Sequence, residues 1–178
     1  MKSLRLQHNK GASLLEIFLI GALLSFLVAL ISFFPGGSQD PLRDEIRLSD
    51  IQTLTRALEV YHNENKNYPS TNGQWWGVCD AYGKHPRSGA NGWVPNIAPR
   101  YLPELPIDPA PIKDYGCYLY RSDGVDYKLL VHHTIESLNT CPQNTPAPAI
   151  PKDHPYYDPV RSSVQCSLSS FSEGAKRW

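Results

Sequence analysis

A chain of 178 residues has room for one folded domain beside an apolar helix. Lys+Arg and Asp+Glu both number 17, but Lys2, Arg5 and Lys10 precede the first acid, so 14 bases face 17 acids from residue 12 onward. That balance argues against the broad basic surface of a nucleic-acid binder or an acidic-lipid binder, and no nucleic-acid partner is expected.

The most unusual stretch comes first. A basic head ends in Lys10-Gly11-Ala12-Ser13-Leu14-Leu15-Glu16, and an 18-residue apolar run follows over residues 17–34, interrupted only by Gly21, Ser25 and Ser32. As a helix the run spans about 27 Å, close to the hydrocarbon core of a bilayer. A secretory signal has a shorter apolar region and a small-residue cleavage site, which Phe33-Phe34-Pro35-Gly36-Gly37 does not supply. The anomaly is Glu16, since a carboxylate drawn into a membrane costs on the order of a few kcal/mol. It is either an interfacial charge at headgroup level or one half of a pair. A cut after Gly11 would place the new amine of Ala12 one helical turn away, on the same copy or a neighbouring one.

These residues resemble the type IV prepilin leader: a short basic leader, glycine before the cut, glutamate as fifth residue of the product, then the apolar helix. The resemblance implies that a prepilin peptidase removes residues 1–11 and that Ala12 is N-methylated. It also implies that Glu16 sets register during assembly. Ala12 departs from the family's usual phenylalanine. Residues 12–34 are then the transmembrane and assembly helix. The bases before the helix keep that end in the cytoplasm, which puts the rest of the chain outside.

All four cysteines, Cys79, Cys117, Cys141 and Cys166, fall in the exported part. An even number in an oxidising compartment predicts two disulfides with three possible connectivities. Cys79–Cys117 and Cys141–Cys166 are favoured, because each staples an irregular loop to a strand. No pair has C-x-x-C spacing, so zinc is disfavoured.

Pro35-Gly36-Gly37-Ser38 predicts a helix break over residues 35–41, with Pro41 suited to a new first turn. Residues 42–63 have helical periodicity, with Ile46, Ile51, Leu54, Leu58 and Tyr61 on an apolar stripe and Arg43, Arg47, Gln52, Arg56 and Glu59 mostly off it. Asparagines and Pro69 end the helix. Here the resemblance narrows. Asp50-Ile51-Gln52, Ala57-Leu58, Tyr61 and Asn65-Lys66-Asn67-Tyr68-Pro69 are similar to the major pseudopilin of type II secretion, as is Tyr101-Leu102-Pro103-Glu104-Leu105-Pro106-Ile107-Asp108-Pro109. Residues 64–114 form a connecting loop, in which Trp75, Trp76 and Trp93 are expected to pack in a core or between subunits rather than stack on a ligand.

Residues 115–178 are expected to hold an antiparallel sheet and a C-terminal disulfide loop. Residues 115–120 and 126–134 predict two strands joined at Asp123-Gly124, with Tyr127, Leu129 and Val131 on one face and Lys128, Leu130 and His132 on the other. A third strand is expected over residues 160–168. His132 and His133 then point to opposite faces and make a poor metal pair. No nucleophile elbow, zinc-protease motif or phosphate loop occurs, so no enzyme is expected. No cofactor is expected either; Asp108, Asp114, Asp123 and Asp126 raise calcium, but solvated turn carboxylates are favoured.

The expected fold is therefore α+β and pilin-like: a long N-terminal helix, half membrane and half amphipathic, packed on a small antiparallel sheet. The expected function is a structural subunit of a type IV pilus-like or type II secretion filament, extracellular or periplasmic after assembly. Its implied partners are other copies, minor pilins, the prepilin peptidase, the membrane, and an inner-membrane platform with its ATPase. The alternative is a membrane-anchored exported binding module that does not polymerise.

Overall fold

The computed structural model describes residues 13–33, 39–112, 114–136, 150–161 and 167–178, with helix side chains described over 13–29 and from 42 onward. Gly11, Ala12, Cys141 and Cys166 lie outside the described residues. The chain divides into two units, Met1–Ser38 and Gln39–Trp178.

The first unit contains α1, Leu14–Phe33, whose one acid is Glu16 in the first turn. Among the described residues no helix is long and apolar enough to cross a membrane.

The second unit is α+β. Helix α2, Gln39–Asn65, accompanies a four-stranded antiparallel sheet of β1 (Trp76–Gly77), β2 (Cys117–Ser122), β3 (Tyr127–His132) and β4 (Leu168–Phe171), ordered β1-β2-β3-β4. Pro41 falls in the first turn of α2, where its missing N–H leaves no ladder bond unmade. Lys66, at φ 60°, closes the other end with its N–H on the carbonyl of His62 at 2.7 Å, a left-handed cap.

Strand alternation divides the apolar residues between two faces. Tyr118, Tyr120, Tyr127, Leu129, Val131 and Leu168 join Ile51, Leu54, Ala57 and Leu58 of α2 in the main core, with Trp93, Val94, Ile97 and Leu105 closing it from the connecting segment. Cys117, Leu119 and Leu130 form a second cluster with Cys79. The expected Cys79–Cys117 disulfide is there, closing 38 residues of chain. Loop-closure entropy assigns a bridge of that span about 4 kcal/mol.

Four local expectations are corrected. Ile46 is 47% exposed, while its neighbour Arg47 is fully buried; α2 turns its arginine inward because a buried acid waits there. Of the strand expected over 160–168, residues 162–166 lie outside the described residues; Leu168 opens the strand Leu168–Phe171, and Val160 and Arg161 lie in a turn, where the Asp158 carboxylate accepts their N–H groups. Two-residue β1 lies within what was expected to be loop. Finally, His133 adopts φ 63° as the chain leaves β3, so its ring meets that of His132 at 4.3 Å instead of pointing away.

Candidate assembly site

The described side chains of α1 are apolar around the whole helix and open to solvent. Leu14 is 87% exposed, Phe18 75% and Val28 63%. A helix with no polar face has no stable water-facing side and must be covered by lipid or protein. Even Ser25 is internally satisfied, its hydroxyl donating to the Gly21 carbonyl at 2.8 Å.

The charged end of α1 is locally organised. Ser13 precedes the helix. Its N–H donates to Glu16 Oε2 at 2.9 Å, and its Oγ accepts the Leu15 N–H at 3.3 Å. This reciprocal arrangement is a capping box, which satisfies two backbone donors that a helix start leaves open. Sequence reasoning assigned Glu16 to the interface or to register and missed this role, although Ser-x-x-Glu before an apolar run is its signature. Glu16 thus has a covalently local partner that does not require a second copy.

A second polar constellation fixes α2 on the sheet unit. Arg47 donates from Nε and Nη2 to the two oxygens of Asp108 at 2.9 and 2.8 Å, and from Nη1 to Asp44 at 2.6 Å. Asp108 also accepts the Thr134 hydroxyl and the Ala110 N–H. Asp44 accepts the Glu136 N–H, and Glu136 accepts Arg43 Nε. The Asp108-Pro109 turn is thereby locked to the first third of α2 and to the segment after β3. Burial lowers the Arg47 pKa, but the hydrogen bonds and charges of Asp108 and Asp44 outweigh it and hold the group above its ordinary value. Burial raises the carboxyl pKa of Asp50, against a lowering hydrogen bond from Tyr118 at 2.8 Å.

The acids that raised calcium are dispersed. Asp108 is committed to Arg47; Asp123 Oδ1 accepts the N–H groups of Val125 and Asp126; Asp126 binds the Ser172 hydroxyl and the Gly174 N–H. Among the described residues no three potential ligands converge on a metal position.

The three tryptophans of the connecting segment have different roles. Trp93 is fully buried, and Trp76 stacks on His85 at 4.0 Å. Trp75 lies under the guanidinium groups of Arg121 and Arg161, and Arg121 also covers Trp178 at 4.7 Å. Beside them Lys128 is fully buried. Its ammonium meets Asp158 at 3.0 Å and the main-chain oxygens of Lys176 and Trp178 at 3.2 and 3.1 Å. Two hydrogen bonds to main-chain oxygens and one ion pair thus hold the ammonium in place. Burial lowers the Lys128 pKa, and Asp158 works against that.

His132 bridges Tyr82 and Ser167 by its two ring nitrogens, at 3.2 and 3.4 Å. Burial, with the charges of His133 and Arg161 adding, pushes its pKa down to about 3. A histidine neutral at physiological pH and hydrogen-bonded on both sides is packing, not a proton shuttle.

The chain is 32% identical over 68 residues to type II secretion system core protein G of Klebsiella michiganensis. The aligned part is 38% of this chain and 48% of that protein, so the chain spans about half the length of the curated relative it matches. No family model matches, and no solved structure does. With the α+β unit, the partial match supports a pilin-like family.

Proposed function

We propose that the chain is a pseudopilin-like structural subunit whose α1 lies in a membrane before assembly and in the core of a filament afterwards. The observation that carries this reading is α1 itself, apolar on every described side with one acid at its first turn. Such a helix is equally well covered by lipid and by its own copies, so transfer between the two needs little net free energy. The type II secretion relative supports the same role. In this reading a prepilin peptidase cuts after Gly11, Ala12 becomes the methylated N-terminus, and the domain from residue 39 stays on the extracytoplasmic side. A platform with its ATPase, minor pilins and further copies complete the assembly.

Glu16 supplies register by pairing with the freed amine of a neighbour, in exchange for its bond to Ser13. Two substitutions separate register from capping. Glu16→Gln keeps an oxygen for the Ser13 N–H but removes the charge; Glu16→Ala removes both. Membrane insertion should survive both changes, and filament yield should fall in both. Loss confined to the Ala variant would assign Glu16 to the helix start alone. Intact mass of the mature chain should show an N-terminus at Ala12 carrying one added methyl group; a retained Met1 would sink the processing step.

A further inference from the structure

Two features of the second unit remain without a role, and they are complementary. A groove of about 470 Å³ runs beside α2, lined by Thr53, Arg56, Val60, Glu64, Arg100 and Leu102. Glu64 is engaged by Arg100 at 2.8 Å and by the Tyr101 hydroxyl at 2.7 Å. Arg56 is exposed and makes no ion pair among the described residues, and Val60 is 48% exposed beside it. The groove therefore offers an apolar wall and one unneutralised cation.

The tip of the β2–β3 hairpin offers the inverse. Val125 is 77% exposed, far more than a turn requires of a valine. Asp123 next to it is exposed and makes no ion pair among the described residues. The N–H groups of Asp126 and Val125, both at 2.9 Å, fix its carboxylate. The tip is held from below as well, by the Tyr68 N–H on the Gly124 carbonyl at 2.9 Å. A protruding valine and a carboxylate on a fixed turn lose little conformational entropy on docking.

We propose that the hairpin tip of one copy seats in the α2 groove of a second copy, with Val125 against Val60 and Leu102 and Asp123 against Arg56. The two patches are different surfaces of one chain, so the contact is heterologous and repeats into an open array instead of closing as a symmetric pair. It gives the filament reading, on which it rests, a contact between outer domains in addition to the α1 core. Because tip and groove differ in charge, the wrong pairings, tip on tip and groove on groove, are both penalised by like charges.

The test uses full-length chains in the host that assembles them. Val60→Cys and Val125→Cys chains, co-expressed, should give disulfide-linked chains in sheared filaments about tenfold above either variant alone. The single variants control for the chain's own cysteines. Arg56→Glu should lower filament yield by about tenfold, and Asp123→Lys in the same chain should restore it. Normal filaments with no cross-link above the single-variant level overturn the contact and leave the filament role standing. No filaments from the parent chain, with the cross-link still forming in the membrane fraction, overturn the filament role and uphold the contact. Absence of both overturns both. Single-variant yield equal to the mixture, or a groove variant that assembles like the parent, assigns the groove to some other occupant and sinks the proposal.

Discussion

The two helices of this chain solve the same problem in opposite ways. Helix α1 has apolar side chains in every direction, with its one acid in a capped first turn and the Ser25 hydroxyl bonded back to Gly21. Helix α2 has a one-sided stripe, Ile51, Leu54 and Leu58, that its own sheet covers, and it carries a buried arginine bound to residues 61 positions away. One helix is finished by the fold of its own chain. The other exposes a surface that only lipid or other chains can cover. In the proposed reading, comparing them separates what stabilises the subunit from what would assemble it, and each should be breakable without the other.

The largest effect is expected in the second unit. Asp108→Ala leaves the Arg47 guanidinium buried with only Asp44 and the more distant Glu136 oxygen at 3.4 Å. Breaking one partner of a buried pair costs about 3–5 kcal/mol, because the remaining charge stays desolvated. Chemical denaturation of the full chain in detergent should show that loss. Membrane insertion of the same variant should match the parent, since the apolar run of α1 is unchanged. Replacing Arg47 and Asp108 together by Met and Leu should recover much of the stability. Equal loss in the double variant would mean that geometry, not an orphaned charge, is at stake.

Why one helix was legible and the other only partly so follows from the range of the forces involved. An all-round apolar run is a local property, so residues 17–34 announced α1 directly. The strand faces of Tyr127, Leu129 and Val131 were legible for the same reason, since alternation is a two-residue rule. Arg47 was not legible. Periodicity placed it off the apolar stripe, and only Asp108, brought in by the fold, makes burial tolerable. Strand β4 was missed because Leu168-Ser169-Ser170-Phe171 has no apolar alternation to announce it; its place is set by pairing with Lys128 to Val131. The left-handed φ of His133 likewise comes from the exit of β3 and has no glycine to mark it. At the candidate site, the Ser13–Glu16 box was legible, and the attraction of a charge in an apolar run drew the reading past it.

A smaller effect tests the second unit by pH. The folded pKa of His132, about 3, lies below the ordinary value of 6.5. Between these values the unfolded chain binds a proton that the folded chain refuses, so stability is intact above pH 6.5 and is lost as pH falls toward 3. The slope contributed by one such group is at most about 1.4 kcal/mol per pH unit. His133, also lowered by burial, adds to the same limb. His132→Gln keeps partners for Tyr82 and Ser167 without titrating, and should flatten the acid limb of a denaturation series. An unchanged slope would place the acid sensitivity outside His132.

The smallest effect belongs to α1 and tests whether its start is held locally. Ser13→Ala removes the oxygen that accepts the Leu15 N–H while leaving Glu16 in place. Loss of a cap of this kind costs about 1 kcal/mol, and only over the first turn. Hydrogen exchange at the Leu15 amide of the full chain in micelles should accelerate by about fivefold, the factor that 1 kcal/mol sets, while amides of the second unit keep the parent rates. Glu16 keeps the bond from the backbone N–H of residue 13, which Ala also supplies, so its carboxylate is as available to an amine from another copy as in the parent. If pairing with a neighbour drives register, Ser13→Ala should therefore assemble as well as the parent despite a looser helix start. If filament yield instead falls in step with the exchange rate, the capped first turn is itself the element that assembly recognises, and the charge of Glu16 is secondary to the helix it begins.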